Sequence, residues 1–152
     1  GAKLEPNVVC YNAAVLACET GGRWQRALSL LTGLWEAQLE PDVFTCNLGI
    51  RACEDGMQWQ RGLSLLSEMW EARIDPDDIS YSSGALVCGN NGEWQHALSL
   101  VRGAWALKLE LSTSSYSAAI GACEQEAELK QAPSLLVEVY EAKLRLGVFA
   151  NP

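Results

Sequence analysis

The sequence predicts an all-α solenoid, a superhelical stack of helical hairpins, and three observations predict it. Self-similarity returns every 35 residues: Pro6, Pro41 and Pro76 share one column, which Leu111 and Leu146 continue. The same step links Cys18, Cys53, Cys88 and Cys123, then Trp24, Trp59, Trp94 and Leu129, then Trp35, Trp70, Trp105 and Tyr140. A period of this length is the mark of stacked supersecondary units. Within each period the apolar residues recur at helical spacing in two segments divided by a breaker. The composition, 49% hydrophobic and 20% charged with 5 prolines, suits a chain with a packed core and excludes disordered and collagen-like classes.

Starting each unit just after the Pro-Asp pair gives units 8–42, 43–77, 78–112 and 113–147, whose first two members agree at about half their positions. Residues 1–7 match the tail of a unit and residues 148–152 open another, so 1–152 is expected to be one array cut from a longer one. Unit 1 shows the plan. Val8 to Glu19 is apolar-periodic and ends at Gly21-Gly22; Arg23 to Gln38 then runs as a second amphipathic segment, which Pro41 stops because it lacks an amide proton and disfavours helix in the residue before it. In that second segment Trp24, Leu28, Leu31 and Trp35 fall at i, i+4, i+7 and i+11, one helical face that must be buried. Units 2 to 4 repeat the plan, for eight main helices in antiparallel pairs. Trp24, Trp59 and Trp94 should be more than half buried between neighbouring units. In unit 4, Pro133 replaces the Leu found at Leu28, Leu63 and Leu98 and should bend or shorten the last helix.

Several function classes are excluded or disfavoured. No apolar run reaches the ~18 residues that a spanning helix needs. The net charge is −8 and the pI about 4.6, the wrong sign for holding a polyanion by counterion release. The cysteine column places one thiol on each first helix, and helix axes ~10 Å apart exceed the ~7 Å reach of a disulfide. No CxxC pair exists and Cys10 and Cys46 sit in other columns, so the thiols read as small core residues, with no metal and no cofactor. The tryptophans read as core. His96 reads as a surface residue, and Ser112, Thr113, Ser114, Ser115 and Ser117 as the cap and start of the fourth hairpin. Glu36, Glu68, Glu71, Glu138 and Glu141 read as a solvated face. No nucleophile, base and orienter come together, so the chain is not expected to be an enzyme.

Three stretches carry a family resemblance: Val8-Val9-Cys10-Tyr11-Asn12, Ala27-Leu28 and Glu40-Pro41-Asp42. Across the whole chain the pattern resembles the pentatricopeptide repeat. The tetratricopeptide repeat is the near competitor, but its period is 34 and its Trp and Tyr markers lie in the first helix, where these units carry no tryptophan. The resemblance implies a superhelix located in chloroplasts or mitochondria, whose first helices bind single-stranded RNA at one base per repeat. It also implies that the fifth and last residues of a repeat read the base edge. Those pairs are Asn12 with Asp42 and Asn47 with Asp77, both similar to the combination that prefers uracil, then Ser82 with Ser112 and Ser117 with Gly147, which match no strong preference. The second residue wedges between bases, a role that suits Val9, Phe44 and Ile79 but not Ser114.

A departure from the family bears on the partner. Where the family often offers Lys to phosphate, this chain has Thr20, Asp55, Asn90 and Gln125, preceded by Glu19, Glu54, Gly89 and Glu124. The first helices, 8–20, 43–55, 78–90 and 113–125, hold one base, Arg51, against Glu19, Glu54, Asp55, Asp78 and Glu124, a net −4. The sequence reading therefore favours a scaffold that binds other protein subunits of a larger assembly, with single-stranded RNA as the alternative partner.

Overall fold

The computed structural model describes residues 7–125 and Glu141. These residues form seven α-helices of 13 residues and no strand: α1 (Val8–Thr20), α2 (Trp24–Glu36), α3 (Val43–Asp55), α4 (Trp59–Glu71), α5 (Asp78–Asn90), α6 (Trp94–Ala106) and α7 (Thr113–Gln125). The fold is an all-α helical-repeat solenoid. The expected eighth helix, with Pro133, lies outside the described residues, as do Leu129, Tyr140, Leu146 and Gly147. The chain divides into two compact units, Gly1–Pro76 with α1 to α4 and Asp77–Pro152 with α5 to α7.

The helices start and stop for local reasons. Each first helix opens on a side-chain cap: Asn7, Asp42 and Asp77 accept the Cys10, Thr45 and Ser80 amides at 2.9, 2.9 and 3.0 Å, and Ser112 Oγ accepts the Ser115 amide at 3.2 Å. Each such bond satisfies an N–H that the helix cannot, and is worth about 1 kcal/mol. Second helices have no side-chain cap at Arg23, Gln58 or Glu93. They follow directly on tight turns in which the first helix ends with a left-handed residue, Gly22 (φ 73°), Met57 (φ 54°) or Gly92 (φ 73°).

The stop of the second helices differs from expectation. Pro41 does not end α2, which closes at Glu36. Gln38 turns to φ 59°, its amide donates to Trp35 O, and the Leu39 amide donates to Leu34 O at 3.2 Å, the paired bonds of a Schellman motif. Arg73 with Ile74 and Lys108 with Leu109 repeat the turn. The left-handed position is filled by Gln38, Arg73 and Lys108, none of them the glycine that would have signalled it.

In the first unit the core gathers Val15, Ala27, Leu48 and Ala52, with Cys18, Trp24, Leu28 and Leu30 packed against it. Trp24 is more than half buried, and its ring fills the space above Gly56, where a Cβ would lie 2.3 Å from it. In the second unit Val101, Ala104, Tyr116 and Ala119 are fully buried, and α5 meets α7 so closely that a Cβ on Gly89 would lie 2.6 Å from the Ala118 carbonyl carbon. Trp59 and Trp94 are also more than half buried.

Tryptophan as uniform core is corrected at Trp70, which is 48% exposed. The fully buried stripe of α2 is Ala27, Leu31 and Leu34, with Trp24 and Trp35 at its margins. Trp105 is held by its Nε1 donating to Tyr116 Oη at 2.9 Å across to α7, whereas α4, bearing Trp70, is the last helix of the first unit. At the register of Tyr116 in the first unit stands Cys46, and Trp35 Nε1 is buried there with no hydrogen-bond partner.

Candidate nucleic-acid interface

One stripe of each first helix stays largely out of the core. On α1 it runs through Val9, Asn12, Leu16 and Thr20, at i, i+3, i+7 and i+11; on α3 through Phe44, Asn47, Arg51 and Asp55, with Asn47 its buried member; on α5 through Ile79, Ser82, Leu86 and Asn90. The second positions are the unusual ones. Val9 is 74% exposed, Phe44 50% and Ile79 51%. Large apolar residues repeated at one register yet left in water are a contact surface in waiting, since burial would otherwise stabilise them by about 1.5–3 kcal/mol each. Ser114 is exposed at the same register and offers no such face.

The residues that the resemblance pairs as base readers are placed as follows. Asn12 and Asp42 meet at Thr45, whose hydroxyl donates to Asp42 Oδ1 at 2.7 Å and lies against the Asn12 side-chain oxygen. Partial burial pushes the Asp42 carboxyl up, but hydrogen bonds from the Thr45 hydroxyl and amide and from Asn12 outweigh it and hold the pKa below the ordinary value. Asp42 therefore presents a carboxylate. Ser82 and Ser112 are also joined: Ser82 Oγ accepts the Ser112 amide at 3.0 Å, and Ser115 Oγ donates to Ser82 O at 2.6 Å. Asn47 is 5% exposed on α3 and Asp77 caps α5, the two falling in different compact units. Ser117 is exposed on α7; its partner Gly147 lies outside the described residues.

The hydroxyls of Thr45 and Ser80 were missed in the sequence, and Ser115 was read only as part of the cap and start of the fourth hairpin. They stand three residues after Asp42, Asp77 and Ser112, and each hydrogen-bonds the residue that caps its helix. The last residue of a repeat is thus also the N-cap of the next first helix, and the hydroxyl fixes its rotamer. The signal was available as a capping pattern, Asp-x-x-Thr and Asp-x-x-Ser, repeated at the 35-residue step.

The ion pairing does not relieve the residue count. Glu19, whose side chain is 9% exposed, forms an ion pair with half-exposed Arg51 at 3.3 Å, which occupies the one base of the first helices and leaves their net charge at −4. Glu19 Oε2 is buried with no hydrogen-bond partner. Thr20 turns its hydroxyl back to Leu16 O at 2.9 Å, while Asp55, Asn90 and Gln125 are exposed. Glu54 is half-buried, and the Glu124 side chain lies outside the described residues.

All six cysteines are free thiols, and the described residues contain no His, Cys, Asp and Glu group able to hold a metal. Burial, reinforced by the Asp42 and Glu68 carboxylates, pushes Cys46 up to about 12; burial likewise raises Cys53 and Cys88 to about 12. No described helix is long and apolar enough to cross a membrane.

Paired helices, a 35-residue step and a recurring exposed stripe define a helical-repeat protein whose first helices form the presented face. No protein-family model matches the chain, and no curated protein does. Solved structures do. The pentatricopeptide repeat protein PPR10 in complex with an 18-nucleotide psaJ RNA element is 26% identical, with a TM-score of 0.68 over 81% of this chain and 18% of that one. The PPR domain of Arabidopsis thaliana protein-only RNase P 1, in complex with tRNA, is 12% identical with a TM-score of 0.80 over 98% of this chain and 75% of that one. Nuclear proteinaceous RNase P 2 from A. thaliana is 17% identical, with a TM-score of 0.78 over 93% of this chain and 32% of that one. The chain is similar in fold to a segment of these pentatricopeptide repeat proteins and spans about a fifth of PPR10.

Proposed function

We propose that the chain binds single-stranded RNA along its first helices, with Val9, Phe44 and Ile79 stacking on bases and Asn12 with Asp42 and Asn47 with Asp77 reading their edges. The observation that carries this reading is the exposed apolar row. Three large side chains at one repeat register are left in water, and the ligand that suits an isolated apolar face at each repeat is the face of a base. The Asn12–Thr45–Asp42 linkage supports it, because a base reader must be held in one rotamer. The likeness to RNA-bound PPR10 supports it further. The two RNase P proteins, at 12% and 17% identity, contribute the fold alone.

The preference for a protein scaffold drawn from the acidic first helices gives way here. The net −4 of the first helices stands and predicts weak phosphate attraction, but none of the compared structures supports a protein-subunit partner. Within this proposal units 8–42, 43–77, 78–112 and 113–147 are successive repeats of one array. A chloroplast or mitochondrial location is part of the same proposal and rests on the resemblance only.

Fluorescence anisotropy with a labelled uridine-rich single-stranded RNA tests the stacking row. A stacked base is worth about 1–3 kcal/mol, so Phe44→Ala with Ile79→Ala should weaken binding by at least about tenfold. Both side chains are half exposed, so the variant should keep its helices by circular dichroism. Unchanged affinity in the folded double variant would sink the reading.

A further inference from the structure

We propose that the cleft between α2 and α4, on the second-helix side of the first unit, is a docking site for an arginine-bearing segment of a partner protein. The cleft has a volume of about 520 Å³ and is lined by Trp35, Glu36, Arg61, Glu68, Glu71 and Ala72. A second cleft of about 390 Å³ adjoins it, sharing Trp35 and Ala72 and adding Glu40, Pro41, Arg73 and Ile74. Both volumes fall in the range of sites that bury small ligands or single side chains.

The charge of the cleft selects the occupant. Among the described residues, none of the Glu36, Glu68 and Glu71 carboxylates is in an ion pair, and the cleft's own cation, Arg61, donates to Thr32 Oγ1 at 3.2 Å. Three carboxylates around an indole are the complement of a guanidinium: the ring face attracts the cation, and carboxylates accept its N–H groups in pairs. In the adjoining cleft Pro41 and Ile74 offer an apolar contact to the residue next to that arginine, beside Glu40 and Arg73, whose charges cancel. A nucleic acid would be repelled here.

The acidity is also not a product of the repeat. Thirty-five residues on, Glu36 keeps a carboxylate in Glu71, but Glu68 and Glu71 become Gly103 and Ala106. Seventy residues on, Glu68 and Glu71 keep theirs in Glu138 and Glu141, but Glu36 becomes Ala106 and Thr32 becomes Arg102, while Arg61 becomes Gln131. The net charge of these positions falls from −2 to −1 at either step, and the full set of three carboxylates occurs once, although Trp35 keeps its counterparts in Trp70 and Trp105. A feature that the repeat does not need for folding, placed beside one that it does, is the pattern of an added binding site. The inference stands apart from the RNA reading, because it uses second-helix residues and none of the exposed first-helix row.

The test is isothermal titration calorimetry of the full chain with a capped hexapeptide of alternating leucine and arginine, and with its citrulline counterpart as the uncharged control. The arginine peptide should bind saturably at one site and the citrulline peptide should not. Glu36→Gln with Glu71→Gln, both exposed and so free to change without unfolding the chain, should weaken binding at least tenfold. Asp55→Asn with Glu110→Gln removes the same charge elsewhere and should change it less than twofold. Equal losses in the two variants would make the binding diffuse attraction to an acidic protein and overturn the site. So would the absence of saturable binding, or a self-association of the chain that the Glu36 and Glu71 changes abolish.

Discussion

The close approach of α5 and α7 makes a prediction in which two effects of opposite sign compete. Gly89→Ala adds a methyl in the last turn of α5, which by propensity alone stabilises by at most about 1 kcal/mol. At this position the new Cβ would lie 2.6 Å from the Ala118 carbonyl carbon, 2.7 Å from its Cβ and 2.8 Å from its oxygen. The obstacle is backbone, which no rotamer change can move aside, so the helices must separate by several tenths of an ångström and loosen the contacts of Tyr116 and Ala119 beside it. Overpacking of this kind costs about 1–3 kcal/mol, with the upper part of the range applying to a rigid neighbour. The net expectation is a loss of about 1–2 kcal/mol, read as a fall of about 2–8 °C in Tm for a chain of this size. Gly121→Ala in α7 is the control: among the described residues nothing lies within 4 Å of its added Cβ, so propensity dominates and stability should rise by about 0.5–1 kcal/mol. Paired thermal and urea denaturation measures both. If Gly89→Ala is as stable as the parent, or more so, the packing of the first helices argued here is wrong.

Other consequences are as direct. Glu19→Gln should free Arg51 for phosphate, strengthening uridine-rich RNA binding a few-fold and steepening its salt dependence by about 0.7 in log-log slope; an unchanged slope would mean that Arg51 does not face the strand. Met57→Gly should stabilise by about 1 kcal/mol, because Met57 holds a left-handed φ of 54° where the other two hairpins have glycine, and a chemical denaturation midpoint that falls would contradict this. Iodoacetamide at pH 8 should label exposed Cys10 in the folded chain and spare Cys46, Cys53 and Cys88, whose thiols are held neutral with pKa values near 12; mass spectrometry showing equal labelling would refute it.

The hairpins were legible because a 35-residue period multiplies every weak signal: one Trp-x-x-x-Leu spacing is ambiguous, but three copies in register are not. The first helices were placed to the residue by starting each unit after the Pro-Asp pair and by the Gly21-Gly22 breaker. The second-helix ends were not, because the stop is a left-handed Gln38, Arg73 or Lys108, and those residue types carry no turn signal. Trp70 was misread for a related reason: spacing gives the face of a helix but not whether anything covers it. At the candidate interface, register together with the family resemblance singled out Val9, Phe44 and Ile79 and the pairs proposed to read bases. It could not show that those apolar residues stay in water, that Thr45 ties Asn12 to Asp42, or that Arg51 is already paired with Glu19, since each depends on contacts between helices some thirty residues apart.

The central claim is that the first helices read RNA, and its most direct test is the affinity of the 152-residue chain for matched uridine-rich and adenine-rich single strands at physiological salt. Phosphate attraction is weak, so uridine-rich RNA should bind near 10⁻⁵ M, within the range of about 10⁻⁴–10⁻⁶ M set by electrostatic attraction. Two reading pairs at about 1–3 kcal/mol of discrimination each should place the adenine-rich strand at least about tenfold weaker. Asn12→Ala with Asn47→Ala should erase that difference while leaving the weaker affinity in place. Equal affinity of the unmodified chain for the two strands, or a preference that survives both substitutions, would contradict the account.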